Sequence, residues 1–440
     1  MAQQPVIGIQ VDWPSREGDL HAFCAKLKEL ASINRLVCWW GEHEVRWDNA
    51  AFQGMPWQPK ETQTDSRGKT AFERLHEACV AHDMELYLGG GEEHLKLPKP
   101  PEPLVPYMTV DCFGERTHIT CVNNADWRAY HVAMNSEVLR QNDYLAGFMF
   151  MHERCGPMQQ LLKPEVWQGH FTPGCFCPDC LKLAETRGLD ADRAAAGMRE
   201  MVSLFRDKPA SARRDGFFTV FWRLMTRYPE VLAWENFQWE SLHRFRADIA
   251  NAQRAVRGGI DVGYHFQNCS HFGNLAWRAG DDPERVIEYA DWLKPSIYPG
   301  VSGGRYRNTL RLYRKTMLAD FTEEQAHQFV SATFLRGDHV GREALGEEAA
   351  AEKRQVAFGP DWCEIETRRI VEGGAPKPCY AGLGIGVPGG EQADNPKLLA
   401  DCAHGCLDGG ATGFIISRGT SEMPDDQLKA VGDVIRQRLL

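Results

Sequence analysis

The chain has 440 residues, 43% of them apolar and 25% charged, the balance of a globular protein long enough to bury a sizeable core. Its formal charge of −10, with no run of Lys or Arg, excludes the basic stripe by which nucleic-acid binders displace counterions. No stretch reaches the ~18 consecutive apolar residues of a membrane span, and thirteen Trp supply flat apolar surfaces suited to neutral polar ligands such as sugars.

The opening "MAQQ" runs directly into "PVIGIQVDWP", a core strand, without the charged and apolar regions of a secretion signal. The fourteen cysteines are therefore expected in a reducing compartment, the cytoplasm, as buried thiols or metal ligands. Short runs rich in β-branched and aromatic residues predict strands over 6–13, 35–40, 86–90, 145–152, 260–266, 292–298, 379–387 and 412–417. Sequence of helical period predicts helices over 19–31, 69–81, 126–141, 235–256, 283–290, 362–372, 397–407 and 425–438.

Eight nearly all-apolar strands alternating with helices fit a parallel sheet covered on its outside, an α/β fold of the closed (β/α)8 TIM barrel type. A doubly wound open sheet would carry a Gly-rich phosphate turn after an early strand, and "VDWPSREGD" has none. The spacing predicts one barrel domain over 1–440 with two helical insertions, 154–258 after strand four and 301–360 after strand six. Insertions of this length serve function or interfaces, and a homo-oligomer is one expectation. "LPKPPEPLVP", residues 97–106, reads as a stiff bridge after strand three.

Active sites of such barrels lie at the carboxyl ends of the strands. Those positions are acidic and aromatic here: Asp12 and Trp13, Trp39, Trp40, Glu42 and Glu44, Glu92, Glu93 and His94, His152 and Glu153, His265, Tyr298, Glu391, and Arg418 with Glu422. Carboxylates around a Trp-lined cleft are what glycoside hydrolysis requires, one acid to protonate the leaving oxygen and a second to attack or to activate water. "LAGFMFMHERCG" is the most informative strand, because it delivers His152 and Glu153 where a charged pair is expensive as mere structure. Substrate contacts are expected from Asp12, Trp13, Trp40, Glu42, Glu93, His152, His265, Tyr298 and Arg418.

Cys175, Cys177 and Cys180 form a C-x-C-x-x-C knuckle, three thiolates within reach of one ion. Cys121, at the loop before the helix leading into strand four, is the candidate fourth ligand, with Cys112 and Cys155 in reserve. The succession "RTHITCVNN", "DWRAY", a strand ending in Glu153, then this knuckle resembles the glycoside hydrolase family 42 β-galactosidases over residues 107–190. The resemblance implies a structural zinc on Cys121, Cys175, Cys177 and Cys180, and Glu153 as general acid/base. Where the family has Asn before that glutamate, this chain has His152. The family's nucleophile ends strand seven, but "CYAGLGIGVPGGE" has no carboxylate before Glu391.

The expected activity is therefore hydrolysis of a small neutral glycoside or oligosaccharide, with no nucleic-acid or membrane partner. Glu391 and Glu422 are the candidates for the second catalytic carboxylate, and Asp12, Glu42 or Glu93 are alternatives for activating water. Two other readings stand beside it: a metal-dependent sugar isomerase or lyase using His94, His152, Glu153 and His265, and a catalytically inactive carbohydrate-binding barrel.

Overall fold

The computed structural model describes residues 4–12, 18–55, 58–90, 102–151, 174–267, 275–335, 358–388 and 394–440. Its strands are β1 Ile7–Val11, β2 Arg35–Trp39, β3 Glu85–Gly89, β4 Met108–Val110, β5 Arg116–Thr120, β6 Gly147–Phe150, β7 Asp261–Phe266, β8 Trp292–Ile297, β9 Tyr380–Leu383 and β10 Gly413–Ile416. Eight of them close a parallel barrel in the order β1-β2-β3-β6-β7-β8-β9-β10, sealed where Ile7 of β1 pairs with Phe414 of β10. The expected barrel is thus observed, each barrel strand falling inside or within one residue of a predicted run.

The outer helices form where capping and periodicity agree. Asp19 Oδ1 accepts from the His21 and Ala22 amides to start Leu20–Ala31, which buries Cys24, Leu27 and Ala31. Thr70 and Glu73 form a reciprocal capping box at the head of Ala71–Ala81. Between β6 and β7 the described helices are Pro178–Thr186, Ala191–Asp207, Ala210–Asp215, Phe217–Arg227 and Glu230–Val256, the last burying Trp234, Phe237 and Trp239 as an amphipathic barrel helix should. Pro299–Tyr313, Glu323–Val330 and Pro360–Gly374 stand between β8 and β9. Among the described residues no helix is long and apolar enough to cross a membrane.

The antiparallel β4–β5 hairpin was not expected. It turns on Asp111, whose Oδ1 accepts from the Phe113 and Glu115 amides, with Gly114 at φ +88°. Its strands are too short for their alternation to register in the sequence.

Strand alternation layers the barrel interior. At the amino-terminal end Arg35 pairs with Glu85 at 2.8 Å and with Asp261 at 3.4 Å, and Tyr87 and Trp292 donate to the same Asp261 carboxylate at 2.7 and 3.0 Å. Burial pushes that carboxylate up despite its donors. Above it Val37, Tyr87, Met149, Met151, Trp292 and Ile415 pack as an apolar layer. The next residues of the same parity on these strands form the floor of the carboxyl-terminal mouth.

Candidate active site and cysteine cluster

A cavity of about 380 Å³ opens at that mouth, lined by Gln10 and Asp12 from β1, Trp39 from β2, Met151 beyond β6, His265 from β7, Tyr298 after β8, Arg305, and Arg418, Gly419 and Glu422 after β10. Each strand contributes its inward parity: Gly8, Gln10 and Asp12 alternate along β1, and Arg35, Val37 and Trp39 along β2. This decides between the paired tryptophans. Trp39 lines the cavity and is 39% exposed, whereas Trp40, the expected substrate contact, packs against the main core.

The floor is a buried polar network. Lys294, fully enclosed on β8, donates to His265 Nδ1 at 2.8 Å and to Ser417 Oγ at 2.6 Å. An ammonium has no lone pair, so Nδ1 is the acceptor and Nε2 carries the imidazole hydrogen toward Ser296 Oγ at 2.9 Å; the Ser296 hydroxyl in turn donates to the Phe266 carbonyl at 2.6 Å. Lys294 fits because β9 offers Gly382 beside it, where a Cβ would stand 2.8 Å from Lys294 Cε and 2.4 Å from the Pro295 carbonyl oxygen. His265 thus lines the cavity and bonds to Lys294 and Ser296 of the floor.

The two described carboxylates of the cavity wall are held differently. Asp12 Oδ2 accepts from the Ser421 amide at 3.1 Å and from the Ser421 hydroxyl, packed against Gly419, where a Cβ would overlap the carboxylate. Glu422 ends the short turn Thr420–Glu422 and faces Arg418 Nε at 3.2 Å. The final helix, Asp425–Arg438, has Pro424 at its N-cap, and Glu422 lines the cavity. Glu42 stands outside the cavity wall: it accepts from the Lys60 amide at 2.8 Å and from the Tyr130 hydroxyl. Trp13, Glu93, His94, His152, Glu153 and Glu391 lie outside the described residues.

Cys121, Cys175, Cys177 and Cys180 come together, all buried, with sulfurs within 4.8 Å of one another. The Cys121 sulfur is 3.4 Å from Cys180 and 3.6 Å from Cys177. Four sulfurs ~2.3 Å from a tetrahedral ion stand roughly 3.8 Å apart, so the cluster fits a metal. Burial pushes the Cys175 thiol up, while hydrogen bonding within the cluster, Cys121 first, holds Cys177 far below the usual thiol range. Asn123 supports the site, its amide N–H donating to Cys121 and its side chain to Cys180, both at 3.3 Å, and to Ser241 at 3.0 Å. The Phe176 amide donates to Val110 of the hairpin at 2.7 Å, and its ring stacks 4.5 Å from Trp234. The cluster therefore joins the β4–β5 hairpin to Pro178–Thr186 and Glu230–Val256. Cys112 stands apart from it and Cys155 lies outside the described residues.

Known structures share this architecture. A β-galactosidase from the haloarchaeon Halorubrum lacusprofundi superposes with TM-score 0.55 at 15% identity, over 98% of this chain and 58% of its own. A family 42 β-galactosidase from G. stearothermophilus gives 0.52 at 10% identity, over 99% of this chain and 57% of its own. The catalytic domain of a β-amylase from Paenibacillus polymyxa gives 0.54 at 10% identity, over the full length of both. The likeness is one of fold. The chain spans less than two thirds of the length of the first of these β-galactosidases. No protein-family profile matches it, and no curated protein does.

The sequence reading passed over Lys294, Ser296, Ser417 and Gln10. The signal was available: "WLKPSI" sets a lysine inside an otherwise buried strand, two residues from Ser296 and of one parity with it. Arg305 stands in the helix Pro299–Tyr313 and lines the cavity.

Proposed function

We propose that the protein is a glycoside hydrolase cleaving a small glycoside or oligosaccharide at the carboxyl-terminal mouth of the barrel, with Glu153 as general acid/base. The observation carrying this reading is the convergence of inward strand ends on one cavity that holds Trp39 beside two carboxylates, Asp12 and Glu422. Glu153 follows Met151 by two residues in the sequence, in the parity of Gly147, Met149 and Met151, and Met151 lines that cavity. The shared fold of β-galactosidases and a β-amylase supports hydrolysis of a glycosidic bond.

In this mechanism Glu153 protonates the glycosidic oxygen as the bond to the anomeric carbon breaks. Glu422, paired with Arg418 at 3.2 Å, is the second carboxylate, with Glu391 as its alternative after strand seven. A separation of ~5 Å makes it the nucleophile and gives retention, while ~6.5–9.5 Å leaves room for an activated water and gives inversion. Asp12, oriented by Ser421, receives a sugar hydroxyl, and Trp39 offers a face to the ring.

For the cysteine cluster we propose zinc. Four thiolates close the coordination sphere without an open position, so the ion holds the hairpin and helices in place and takes no part in bond cleavage. The deciding experiment is hydrolysis of a panel of aryl glycosides with product anomers followed by NMR, comparing wild type with Glu153→Gln and Glu422→Gln. Turnover lowered ~10²–10⁴-fold in Glu153→Gln supports the assignment; undiminished turnover in that variant, or none by wild type on any glycoside, defeats it.

A further inference from the structure

We propose that Gln10 sets the sugar specificity of the mouth cavity: its carboxamide grips two adjacent hydroxyl groups of the bound ring, so the substrate carries a free vicinal diol at that edge. This rests on the mouth cavity being the sugar site, as proposed above, and names the part of the sugar that is read there.

Gln10 is the inward residue of β1 between Gly8 and Asp12, 3% exposed and part of the cavity lining. It pairs in register with Val37 of β2, at the level of the apolar layer that contains Met149, Met151 and Ile415. Among the described residues its side chain makes one polar contact, from Nε2 to the Met151 sulfur at 3.9 Å. A thioether is a weak acceptor. Met151 fits there because Gly89 leaves it room, a Cβ at that position overlapping the sulfur. Oε1 and one N–H of Nε2 are thereby left to the cavity.

A buried carboxamide lacking good partners costs free energy that a bound ligand offsets by supplying them. Its acceptor and donor lie side by side on one edge. A vicinal diol matches that edge, one hydroxyl donating to Oε1 and its neighbour accepting from Nε2. A trans N-acetyl group turns its N–H and C=O in opposite directions and meets only one of the two. A deoxygenated position likewise leaves one unmet. The carboxamide is neutral, so its hold on hydroxyls does not depend on the balance of arginines and carboxylates around the mouth, Glu153 and Glu391 included. Bond cleavage stays with the carboxylates, and Gln10 carries no proton.

The test is calorimetric titration of the full chain with the methyl glycosides of D-galactose, D-glucose, D-mannose and D-xylose, then with monodeoxy forms of the tightest binder. Binding requires no turnover, so the outcome is separable from whether the protein hydrolyses glycosides. For wild type, removing either of two adjacent hydroxyls is expected to weaken binding about tenfold or more, and removing the others less. In Gln10→Met the same two deletions should cost about twofold or less, with the other positions unchanged. Gln10→Met should also melt no lower than wild type, because it replaces a poorly partnered carboxamide with an apolar chain of similar length. No binding of any of these glycosides, the absence of an adjacent sensitive pair in wild type, or a pair that stays equally sensitive in Gln10→Met overturns the proposal. The wild-type series alone can overturn it, whether or not the variant folds.

Discussion

Lys294 holds His265 in a single tautomer: its Nζ donates to Nδ1 at 2.8 Å, which leaves the ring hydrogen on Nε2, 2.9 Å from Ser296 Oγ. The β7–β8 register sets this up by pairing the two residues directly. A histidine at the end of a barrel strand is ordinarily a candidate proton carrier, but here its Nδ1 accepts from Lys294. Nitrogen NMR is expected to find Nδ1 of His265 as the acceptor nitrogen and the ring hydrogen on Nε2. Lys294→Met removes the donor from both His265 and Ser417 and should cost about 1–3 kcal/mol in urea unfolding; a variant as stable as wild type would contradict the network.

The cysteine cluster predicts metal content. Protein purified without chelator should carry one zinc per chain, measured by elemental analysis. Cys177→Ser should lose most of that zinc and lower the melting temperature, since a tetrathiolate site contributes its binding free energy to folding. An equally stable, metal-free wild type would show the thiols to be packing groups only.

His243 predicts a pH dependence of stability. Its Nε2 donates to the Gly280 carbonyl at 2.9 Å, Nδ1 accepts from the Tyr289 hydroxyl at 3.0 Å, and burial lowers its pKa from 6.5 to about 4. The unfolded chain takes up a proton that the folded chain refuses, so this contribution is full above pH 6.5 and is lost as pH falls toward 4. The loss amounts to roughly 3 kcal/mol across that window. Urea midpoints measured from pH 7 to 4 should fall more steeply for wild type than for His243→Gln, and parallel curves would remove His243 as the cause.

The paired tryptophans should separate cleanly. Trp39→Ala is expected to raise KM or weaken sugar binding by about tenfold, the worth of a stacking face, with little change in melting temperature. Trp40→Ala should instead destabilise the fold by about 2–4 kcal/mol, as loss of a packed indole does. The reverse pattern, read from melting curves and binding isotherms, would place the cavity on the other face of β2.

Much of the barrel was legible because parallel strands buried on both faces must be apolar along their length, a pattern a linear reading detects. Helix ends were legible where a cap such as Asp19 or the Thr70–Glu73 box states them locally. The cysteine cluster was legible for a related reason: three ligands lie within six residues, and Cys121 begins the turn that precedes a helix. Other features depend on neighbours far away in the chain. Lys294 acquires meaning only beside His265 and Ser417, and Gly382 only because that lysine needs its space. Arg305 and Arg418 are separated by more than a hundred residues and meet only because the barrel closes. The sequence by itself determined the eight strands, the helices that cover them and the acidic, aromatic character of the strand ends, since each follows from periodicity and burial along a short window. Only the tertiary structure decided which side of each strand faces the cavity, that Trp39 and not Trp40 lines it, and that arginines share it with the carboxylates, because parity becomes direction only once the sheet has closed.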